Sequence, residues 1–301
     1  MAPAVEEGYV SFRGHRTWYR AVGETEEGRS PLLVLHGGPG TSHDYLEPLE
    51  DMARTGRKVF FYDQMGCGRS DHPHDPGLLT VASYLDEVTA VREQLGLERA
   101  HVLGQSWGGL LAMEHALSGA NGIESLVLCD PLTDTRQWIS EANRLRSLLP
   151  ADVQEALLRN ERAGNTDSAE YQDAMMVYYR RHVCRMDPWP EYLERSLAHL
   201  AADPEVYAVM WGPSEFFMTG TLKDWTVLPR IGRIRVPTLL LSGRHDEATP
   251  AIVGAINAGI EGSEWQVFED SSHMPHAEER ERFMGVLGGF LDRVERRTPS
   301  R

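Results

Sequence analysis

A serine flanked by glycines lies between a strand pattern and a helix pattern, in the sequence Gly104-Gln105-Ser106-Trp107-Gly108. The apolar run at 100–103 predicts a buried strand, and residues 110–117 predict a helix. Glycine on both sides of the serine permits a turn so tight that the hydroxyl stands at the top of a sheet, at a helix N-terminus. The pattern therefore predicts a strand–turn–helix unit of an α/β protein with Ser106 as its nucleophile. Because so short a pattern also occurs by chance, its partners must be found elsewhere in the chain.

Apolar runs and helical patterns alternate along most of the chain. Two strand-like runs, 8–12 and 15–22, meet at Arg13-Gly14, which predicts a hairpin. The later alternation of strands and helices favours a mostly parallel central sheet flanked by helices on both faces. The predicted strands of this part are 31–35, 59–62, 100–103, 125–129, 237–242 and 265–268, and the predicted helices include 81–95, 250–260 and 276–294.

A stretch from about 132 to 232 interrupts this alternation, because it contains no clear buried strand. It holds helical patterns at 151–163, 168–184 and 190–199, and four of the seven tryptophans, namely Trp138, Trp189, Trp211 and Trp225. We therefore expect an all-helical cap domain, residues 132–232, inserted into a discontinuous α/β catalytic domain formed by residues 1–131 and 233–301.

The charge balance argues against several classes of partner. With 30 Lys and Arg against 45 Asp and Glu, the formal net charge is −15, so we expect no binding to nucleic acid or to an anionic membrane. The acidic N-terminus shows no signal-peptide pattern, and no apolar run approaches the roughly 18 residues of a membrane span. We expect a cytoplasmic monomer. The cysteines Cys67, Cys129 and Cys184 form no CxxC pair, which argues against a zinc site or a disulfide framework.

A nucleophilic serine needs a base that takes its proton and an acid that orients the base. Asp246 and His273 each directly follow a predicted strand late in the chain. Because the carboxyl ends of parallel strands meet at one crevice, both side chains are expected near Ser106, in the order serine, acid, histidine. Asp130 is the rival acid, since it also ends a predicted strand, and His245 and His276 are the rival bases.

Two further turns follow predicted strands. In His36-Gly37-Gly38-Pro39-Gly40 the glycines let backbone N–H groups approach a ligand closely, so we expect the N–H groups of Gly38 and Trp107 to form an oxyanion hole. A phosphate cradle is the functional alternative, although no GK[ST] or Rossmann spacing accompanies the turn, and a plain glycine turn is the structural one. The turn at 63–70 is expected to be structural, held by an ion pair between Asp63 and Arg69.

Together these stretches resemble the proline iminopeptidases, a family of serine aminopeptidases. The resemblance is carried by the turns at 36–40 and 63–70, by Gly104-Gln105-Ser106-Trp107-Gly108-Gly109, and by the Asp246 and His273 turns, and it spans about residues 8–292. It implies the α/β-hydrolase fold with an inserted helical cap. It also implies that the reaction needs neither a metal nor an organic cofactor.

The cap is similar to that of the tricorn-associated aminopeptidases, through residues 212–216 and 220–225. Those relatives grip the free α-amine of the substrate with two glutamates, and the matching positions here are Glu215 and Glu247. Carboxylates at a closed end of a pocket pair with an ammonium group and so select a free N-terminus. The resemblance thus implies a small molecule or short peptide with a free amine as substrate.

We expect a serine hydrolase that removes an N-terminal aminoacyl residue, such as proline, alanine or another small residue, through an acyl-enzyme. The alternative within the family is an amidohydrolase that strips a terminal aminoacyl group from a secondary metabolite such as a macrolactam. An esterase would need no amine clamp, and a non-catalytic binding protein of the same fold would usually lose a member of the triad. Serine rather than aspartate at position 106 argues against a dehalogenase or an epoxide hydrolase.

Overall fold

A single eight-stranded sheet forms the centre of the computed structural model, which describes residues 3–297. The strands are β1 (Val5–Phe12), β2 (His15–Val22), β3 (Leu32–Leu35), β4 (Val59–Tyr62), β5 (Ala100–Gln105), β6 (Ile123–Cys129), β7 (Thr238–Gly243) and β8 (Glu264–Phe268). They lie in the order β1-β2-β4-β3-β5-β6-β7-β8. Only β2 runs antiparallel to its neighbours, so the predicted mostly parallel sheet is confirmed.

The first two strands form the predicted hairpin. Arg13 and Gly14 at its tip have φ values of 47° and 84°, the left-handed backbone that a two-residue turn between antiparallel strands requires. β2 then pairs with β4, with Val22 opposite Val59. The hairpin therefore extends one edge of the parallel sheet.

The α-helices are α1 (Val81–Gln94), α2 (Trp107–Leu117), α3 (Thr135–Arg146), α4 (Ala151–Ala163), α5 (Ala169–His182), α6 (Glu191–Ala202), α7 (Glu205–Met210), α8 (Pro250–Gly259), α9 (Pro275–Glu278) and α10 (Arg280–Arg297). On one face of the sheet, α1, α2 and α8 supply buried apolar side chains. On the other face, α10 packs with a 3₁₀ helix at His43–Thr55. β3 and β4 are buried at every residue, as strands covered on both faces must be.

Five helices, α3 to α7, lie between β6 and β7, and no strand occurs between them within residues 3–297. The predicted helix at 151–163 matches α4, and those at 168–184 and 190–199 correspond to α5 and α6 with ends shifted by up to three residues. Buried side chains of this region, such as Trp138 and Trp211, pack in the same apolar cluster as the α1 face of the sheet. The boundaries of the cap domain at 132 and 232 stay a prediction.

Two features of the fold differ from the sequence expectation. The predicted helix at 276–294 is two helices, because Glu279 leaves the helical conformation between α9 and α10. Its carboxylate accepts hydrogen bonds from Asp270 N at 3.1 Å and Ser271 Oγ at 2.7 Å. The 3₁₀ helix at His43–Thr55 was not predicted; it contains Pro48, which lacks the N–H that a regular α-helix would use.

Among residues 3–297, no helix is both long enough and apolar enough to cross a bilayer.

Candidate active site

Ser106 lies at the sharp turn from β5 into α2. Its backbone has φ 55° and ψ −119°, a strained conformation for a residue with a side chain. The turn is closely packed: a Cβ on Gly104 would lie 2.1 Å from Gly108 O, and a Cβ on Gly108 would lie 2.1 Å from Leu35 O. Both glycines are therefore required by close backbone approach, and the predicted strand–turn–helix unit around Ser106 is present.

His273 and Asp246 lie together at the carboxyl ends of β8 and β7. The Nδ1 atom of His273 is 2.6 Å from Asp246 Oδ1, which also accepts the Ala248 N–H at 2.8 Å. Both side chains are buried. The Trp138 ring packs edge-on against the imidazole, with ring centroids 5.9 Å apart. The imidazole is thus fixed on one side by a carboxylate and on another by an aromatic ring from the cap region.

Ser106 and His273 line one cavity of about 830 Å³ beneath the helices α5 to α7. Among the described residues, no hydrogen bond joins the Ser106 hydroxyl to His273. Such a contact is often long in an unliganded enzyme and tightens when substrate binds. The two side chains face the same space, and a substrate carbonyl placed there would meet both.

The rival residues occupy other places. The His245 side chain is exposed, and its backbone carbonyl accepts a hydrogen bond from His182. His276 is buried away from the cavity; its Nε2 lies 3.0 Å from Tyr45 O, and burial lowers its pKa to about 4. Asp130 lies beside Asp246, with a carboxyl oxygen within 4.8 Å of one on Asp246. Only His273, of the three histidines, lines the cavity.

The glycine-rich turn borders the same cavity. Gly38 lines it, with φ 110°, a backbone conformation that favours glycine. Trp107 is the first residue of α2, so its N–H has no acceptor within the helix. Its indole is buried and donates to Gln64 Oε1 at 2.8 Å. The two backbone groups predicted for an oxyanion hole therefore lie on the elements that border Ser106.

A hydrogen-bond chain, which the sequence did not indicate, joins this turn to the histidine. Gly37 N donates to the Tyr45 hydroxyl at 2.6 Å, and that hydroxyl donates to Gln105 Oε1 at 2.6 Å. Gln105 Nε2 then donates to His273 O at 3.1 Å. Gln105 stands next to the predicted nucleophile and could have been suspected on that ground, whereas Tyr45 lies on the unpredicted 3₁₀ helix and gave no signal.

The turn at 63–70 has the expected structural contacts, with an additional partner. Asp63 accepts the Arg69 N–H at 2.9 Å, while the Arg69 guanidinium lies 3.4 Å from Asp63 and 2.9 Å from Asp44. Asp63 also binds His43 at 2.8 Å. Although burial opposes it, the charge and hydrogen bond of His43 lower the pKa of Asp63 to about 2.

The two glutamates of the predicted amine clamp line the cavity together. Glu215 Oε1 accepts a hydrogen bond from the Tyr207 hydroxyl at 2.6 Å. Desolvation raises the pKa of Glu215 to about 7, against the effect of that hydrogen bond. Glu247 is 2% exposed, and its Oε2 has no hydrogen-bond partner among the described residues. Burial and the charges of Glu215 and Asp246 raise its pKa well above the ordinary value.

The rest of the cavity wall is mainly apolar. Side chains from α5 and α6 and the segment between them dominate it: Met175, Met176, Val183, Trp189, Leu193, Leu197 and Leu200. No lysine or arginine of the described residues lines the cavity. An acidic end with unpaired carboxyl oxygen thus faces a large apolar volume.

Among residues 3–297, three groups of histidine and carboxylate side chains have potential ligand atoms within 4.8 Å of one another, and one of them is Asp130, Asp246 and His273. In that group the imidazole nitrogen is already hydrogen-bonded to Asp246. In the second group, His43 is paired with Asp63, which lies outside the group, and in the third, His74 is paired with Glu205. Ion pairing accounts for all three arrangements.

The fold and the capped cavity define the class as an α/β hydrolase. A family model for the alpha/beta hydrolase fold matches residues 30–280. The proline iminopeptidases of Clostridium botulinum and Saccharolobus solfataricus are each 38% identical to this chain; the alignments cover 96% of it, and 99% and 93% of the two relatives.

Solved structures give the same result. VinJ has a TM-score of 0.94 and 42% identity, with 97% of this chain and 99% of VinJ covered. The proline iminopeptidase of Mycobacterium smegmatis has a TM-score of 0.90 and 40% identity, with 96% and 99% covered. The chain belongs to the proline iminopeptidase family of α/β hydrolases.

Proposed function

We propose that this protein is a serine hydrolase that cleaves an N-terminal aminoacyl residue from an amide or a peptide through an acyl-enzyme. The observation that carries the proposal is the shared cavity of Ser106, His273, Glu215 and Glu247. A nucleophile and base that share one cavity with two carboxyl groups can bind a substrate by its free amine and by its first carbonyl. The relatives named above are proline iminopeptidases, which agrees with this chemistry.

In the proposed reaction, Ser106 Oγ attacks the carbonyl carbon of the first residue while His273 Nε2 takes the hydroxyl proton. Asp246 binds Nδ1–H, so it holds the tautomer that leaves Nε2 free and stabilises the imidazolium that forms. The N–H groups of Gly38 and Trp107 stabilise the oxyanion. His273 then protonates the leaving amine, and water, activated by the same histidine, releases the amino acid.

The acidic end of the cavity favours a cation. Glu215 and Glu247 lie in a desolvated site, and no lysine or arginine of the described residues lines the cavity, so their ionised forms are disfavoured in the empty enzyme. A substrate ammonium supplies the missing positive charge, and the unpartnered Glu247 Oε2 is an acceptor for it. An N-blocked substrate offers no such charge and leaves the two carboxyl groups without a cation to pair with.

The test compares aminoacyl anilides with their N-acetylated counterparts. We expect turnover of free prolyl or alanyl anilide and a loss of at least about a hundredfold in kcat/KM on acetylation, because a buried charge-assisted contact is lost. Glu215→Gln should lower kcat/KM for the free anilide. Glu155→Gln on α4, outside the cavity, should leave that value unchanged. Comparable rates for free and blocked substrates would reject the amine clamp and favour an esterase. Failure of a fluorophosphonate to label Ser106 in the folded protein would favour a non-catalytic binding protein.

A second candidate is an amidohydrolase that removes a terminal aminoacyl group from a large apolar amide such as a macrolactam. The observation that favours it is the mainly apolar cavity of about 830 Å³, which offers no lysine or arginine for the carboxylate of a dipeptide. Catalytic residues and amine clamp would be the same. A higher kcat/KM for alanyl amides of long-chain or macrocyclic amines than for alanyl dipeptides would select this candidate; the reverse order would select the peptidase.

A further inference from the structure

Asp130 is a fully buried carboxyl group next to the proposed triad, and the proposed mechanism gives it no task. It follows β6 with a left-handed φ of 49°, unfavourable for a residue with a Cβ. Gly243 N donates to its Oδ1 at 3.2 Å, and the Cys129 thiol donates to its Oδ2 at 3.0 Å. Its carboxyl lies within 4.8 Å of the carboxyl of Asp246 and a ring nitrogen of His273. The strained backbone thus holds a buried carboxyl group against the one that orients the base.

Two buried carboxyl groups this close cannot both be ionised, because water does not screen their repulsion. Asp246 is the better place for the charge, since its Oδ1 receives the His273 Nδ1–H at 2.6 Å and the Ala248 N–H at 2.8 Å. Asp130 receives one longer N–H contact and a thiol, which is a weak donor. Burial and the charge of Asp246 raise the pKa of Asp130 well above its ordinary value.

The second oxygen of Asp246 provides an independent observation. Oδ2 is buried and receives no hydrogen bond from any N–H or hydroxyl group of the described residues. A buried carboxylate oxygen without a donor is unfavourable. A proton on the neighbouring Asp130 carboxyl, an oxygen of which lies within 4.8 Å of one on Asp246, would supply that donor.

We propose that Asp130 is a positioning residue that stays a neutral carboxylic acid and donates its proton in a hydrogen bond to Asp246 Oδ2. The bond keeps Asp246 ionised and its other oxygen aligned on His273. This inference rests on the proposed function, in which His273 is the base. The titratable groups near enough to interact electrostatically with the Asp130–Asp246 pair are His273, Glu247, Cys129, Tyr45, Tyr178, His182 and Glu278.

Asp130→Asn is the sharpest test, because asparagine keeps the shape and an N–H donor but cannot ionise. If Asp130 is neutral, the charge near His273 is unchanged, and the acid limb of the kcat/KM–pH profile for prolyl anilide stays within about 0.3 unit of wild type. If Asp130 were ionised, its replacement would remove a negative charge beside His273, and the limb would move to lower pH by about one unit or more. That second result would overturn the proposal. Asp152→Asn, the same chemical change at an exposed position of α4 outside the cavity, serves as the control and keeps the wild-type limb.

Asp130→Ala removes the donor altogether. We expect kcat to fall roughly 10-fold to 100-fold with KM unchanged, since Asp130 does not line the cavity. The acid limb should move to higher pH, because the charge of Asp246 is no longer shared with a donor. A kcat value and an acid limb of the pH profile that both equal those of wild type would contradict the proposal.

An infrared measurement reads the proton itself and needs no activity. The spectrum of wild type minus Asp130→Asn at pH 8 should contain the C=O stretch of a protonated carboxylic acid, and its absence would overturn the inference even if the alanine variant does not fold. Fluorophosphonate labelling of wild-type Ser106 distinguishes a failure of the proposed function from a failure of the inference about Asp130. An unlabelled Ser106 rejects the proposed function, whereas the infrared band still reports on Asp130.

Discussion

At the scale of single residues, the proposed site depends on which histidine takes the serine proton. Three histidines follow late strands in the sequence, and the structure distinguishes them by burial and contacts. His273 is fixed between Asp246 and the Trp138 ring and lines the cavity. The His245 side chain is exposed and lies outside the cavity wall.

A matched pair of variants tests this assignment. His273→Asn should lower kcat by about 10⁴-fold, because the serine loses its base, with a residual rate from the oxyanion hole and substrate binding. His245→Asn should stay within about twofold of wild type, since a surface substitution away from the site changes little. The measurement is kcat for prolyl anilide at saturating substrate. Equal losses in both variants would reject His273 as the base.

Glu215 links the amine site to stability. Its folded pKa of about 7 lies above the ordinary value of 4.5, so the folded state binds more protons than the unfolded state between those pH values. The free energy of unfolding therefore falls as pH rises through this window and has lost its full contribution above about pH 7. The Glu215 carboxyl, which is proposed to bind the substrate amine, thus lowers the stability of the empty enzyme at neutral pH.

Glu215→Gln removes that cost together with the amine contact. We expect a Tm equal to wild type near pH 4.5 and higher by about 2–4 °C at pH 8, for roughly 1 kcal/mol after allowing for screening at this partly exposed group. Differential scanning fluorimetry at both pH values measures the change, with Glu155→Gln as the control that shows no such trend. A Tm difference that does not vary with pH would contradict the raised pKa.

At the scale of elements, the strand–turn–helix unit around Ser106 requires two backbones to touch. Gly108 stands in the first turn of α2, and a Cβ there would lie 2.1 Å from Leu35 O and 2.8 Å from His36 O. Neither atom belongs to a flexible side chain, so relief requires a shift of β3 or of α2. Gly285 in α10 has no heavy atom within 4 Å of the equivalent position.

Gly108→Ala should therefore lower the free energy of unfolding by about 3 kcal/mol or more and reduce Ser106 labelling by a fluorophosphonate. Gly285→Ala, the same chemical change in an open helical site, should raise stability by about 0.5–1 kcal/mol. Chemical denaturation of both variants gives the comparison. A mild effect at Gly108 would show that the turn is more adaptable than its packing indicates.

The elements that the sequence predicted are those with a local cause. The Arg13-Gly14 turn predicted the hairpin, and the spacing of apolar residues predicted the buried strands and the amphipathic helices. The observed ends of these elements therefore differ from the predicted ends by only a few residues. The break between α9 and α10 at Glu279 depends on hydrogen bonds that its carboxylate accepts from Asp270 and Ser271, and no local sequence pattern predicts it. The 3₁₀ helix around Pro48 is likewise held by packing against α10.

The candidate site shows the same division. Ser106, Gly38 and Trp107 stand in short motifs, whereas Asp246 and His273 were found from their places after strands. The glutamates came from a resemblance to relatives, because a lone Glu215 in a cap carries no signal. Tyr45, which connects the glycine-rich turn to Gln105, and the Asp130–Asp246 contact are products of tertiary packing.

At the scale of the whole molecule, charged contacts join the cap to the α/β domain along one side of the cavity. Arg195 on α6 lies 3.1 Å from Asp44 and also pairs with Glu47. Nearby, Ser42 N donates to Ser196 Oγ at 3.2 Å. Asp44 is fully buried, and although burial opposes it, hydrogen bonds from Arg69 and Ser42 lower its pKa.

This junction lies on α6, a helix that lines the cavity. His72 and Asp203 are paired at 2.6 Å, so the C-terminal end of α6 is also held. Leu193, Leu197 and Leu200 of α6 form part of the cavity wall. The position of α6 therefore affects the width of the cavity.

Arg195→Ala should loosen the part of the cavity wall that α6 forms, without changing any proposed catalytic residue. The loss of a charge-assisted contact to buried Asp44 should lower stability by about 1–2 kcal/mol, or roughly 2–6 °C in Tm. KM for an alanyl amide with a bulky leaving group should rise several-fold, because α6 no longer holds a fixed surface, while kcat and Ser106 labelling stay near wild type. Arg159→Ala is the matched control, since Arg159 pairs with Glu155 and Glu170 on the outer side of the cap and lines no part of this cavity. A fall in Tm with unchanged KM would mean that packing alone holds α6 over the cavity, and the charged junction would then serve stability only.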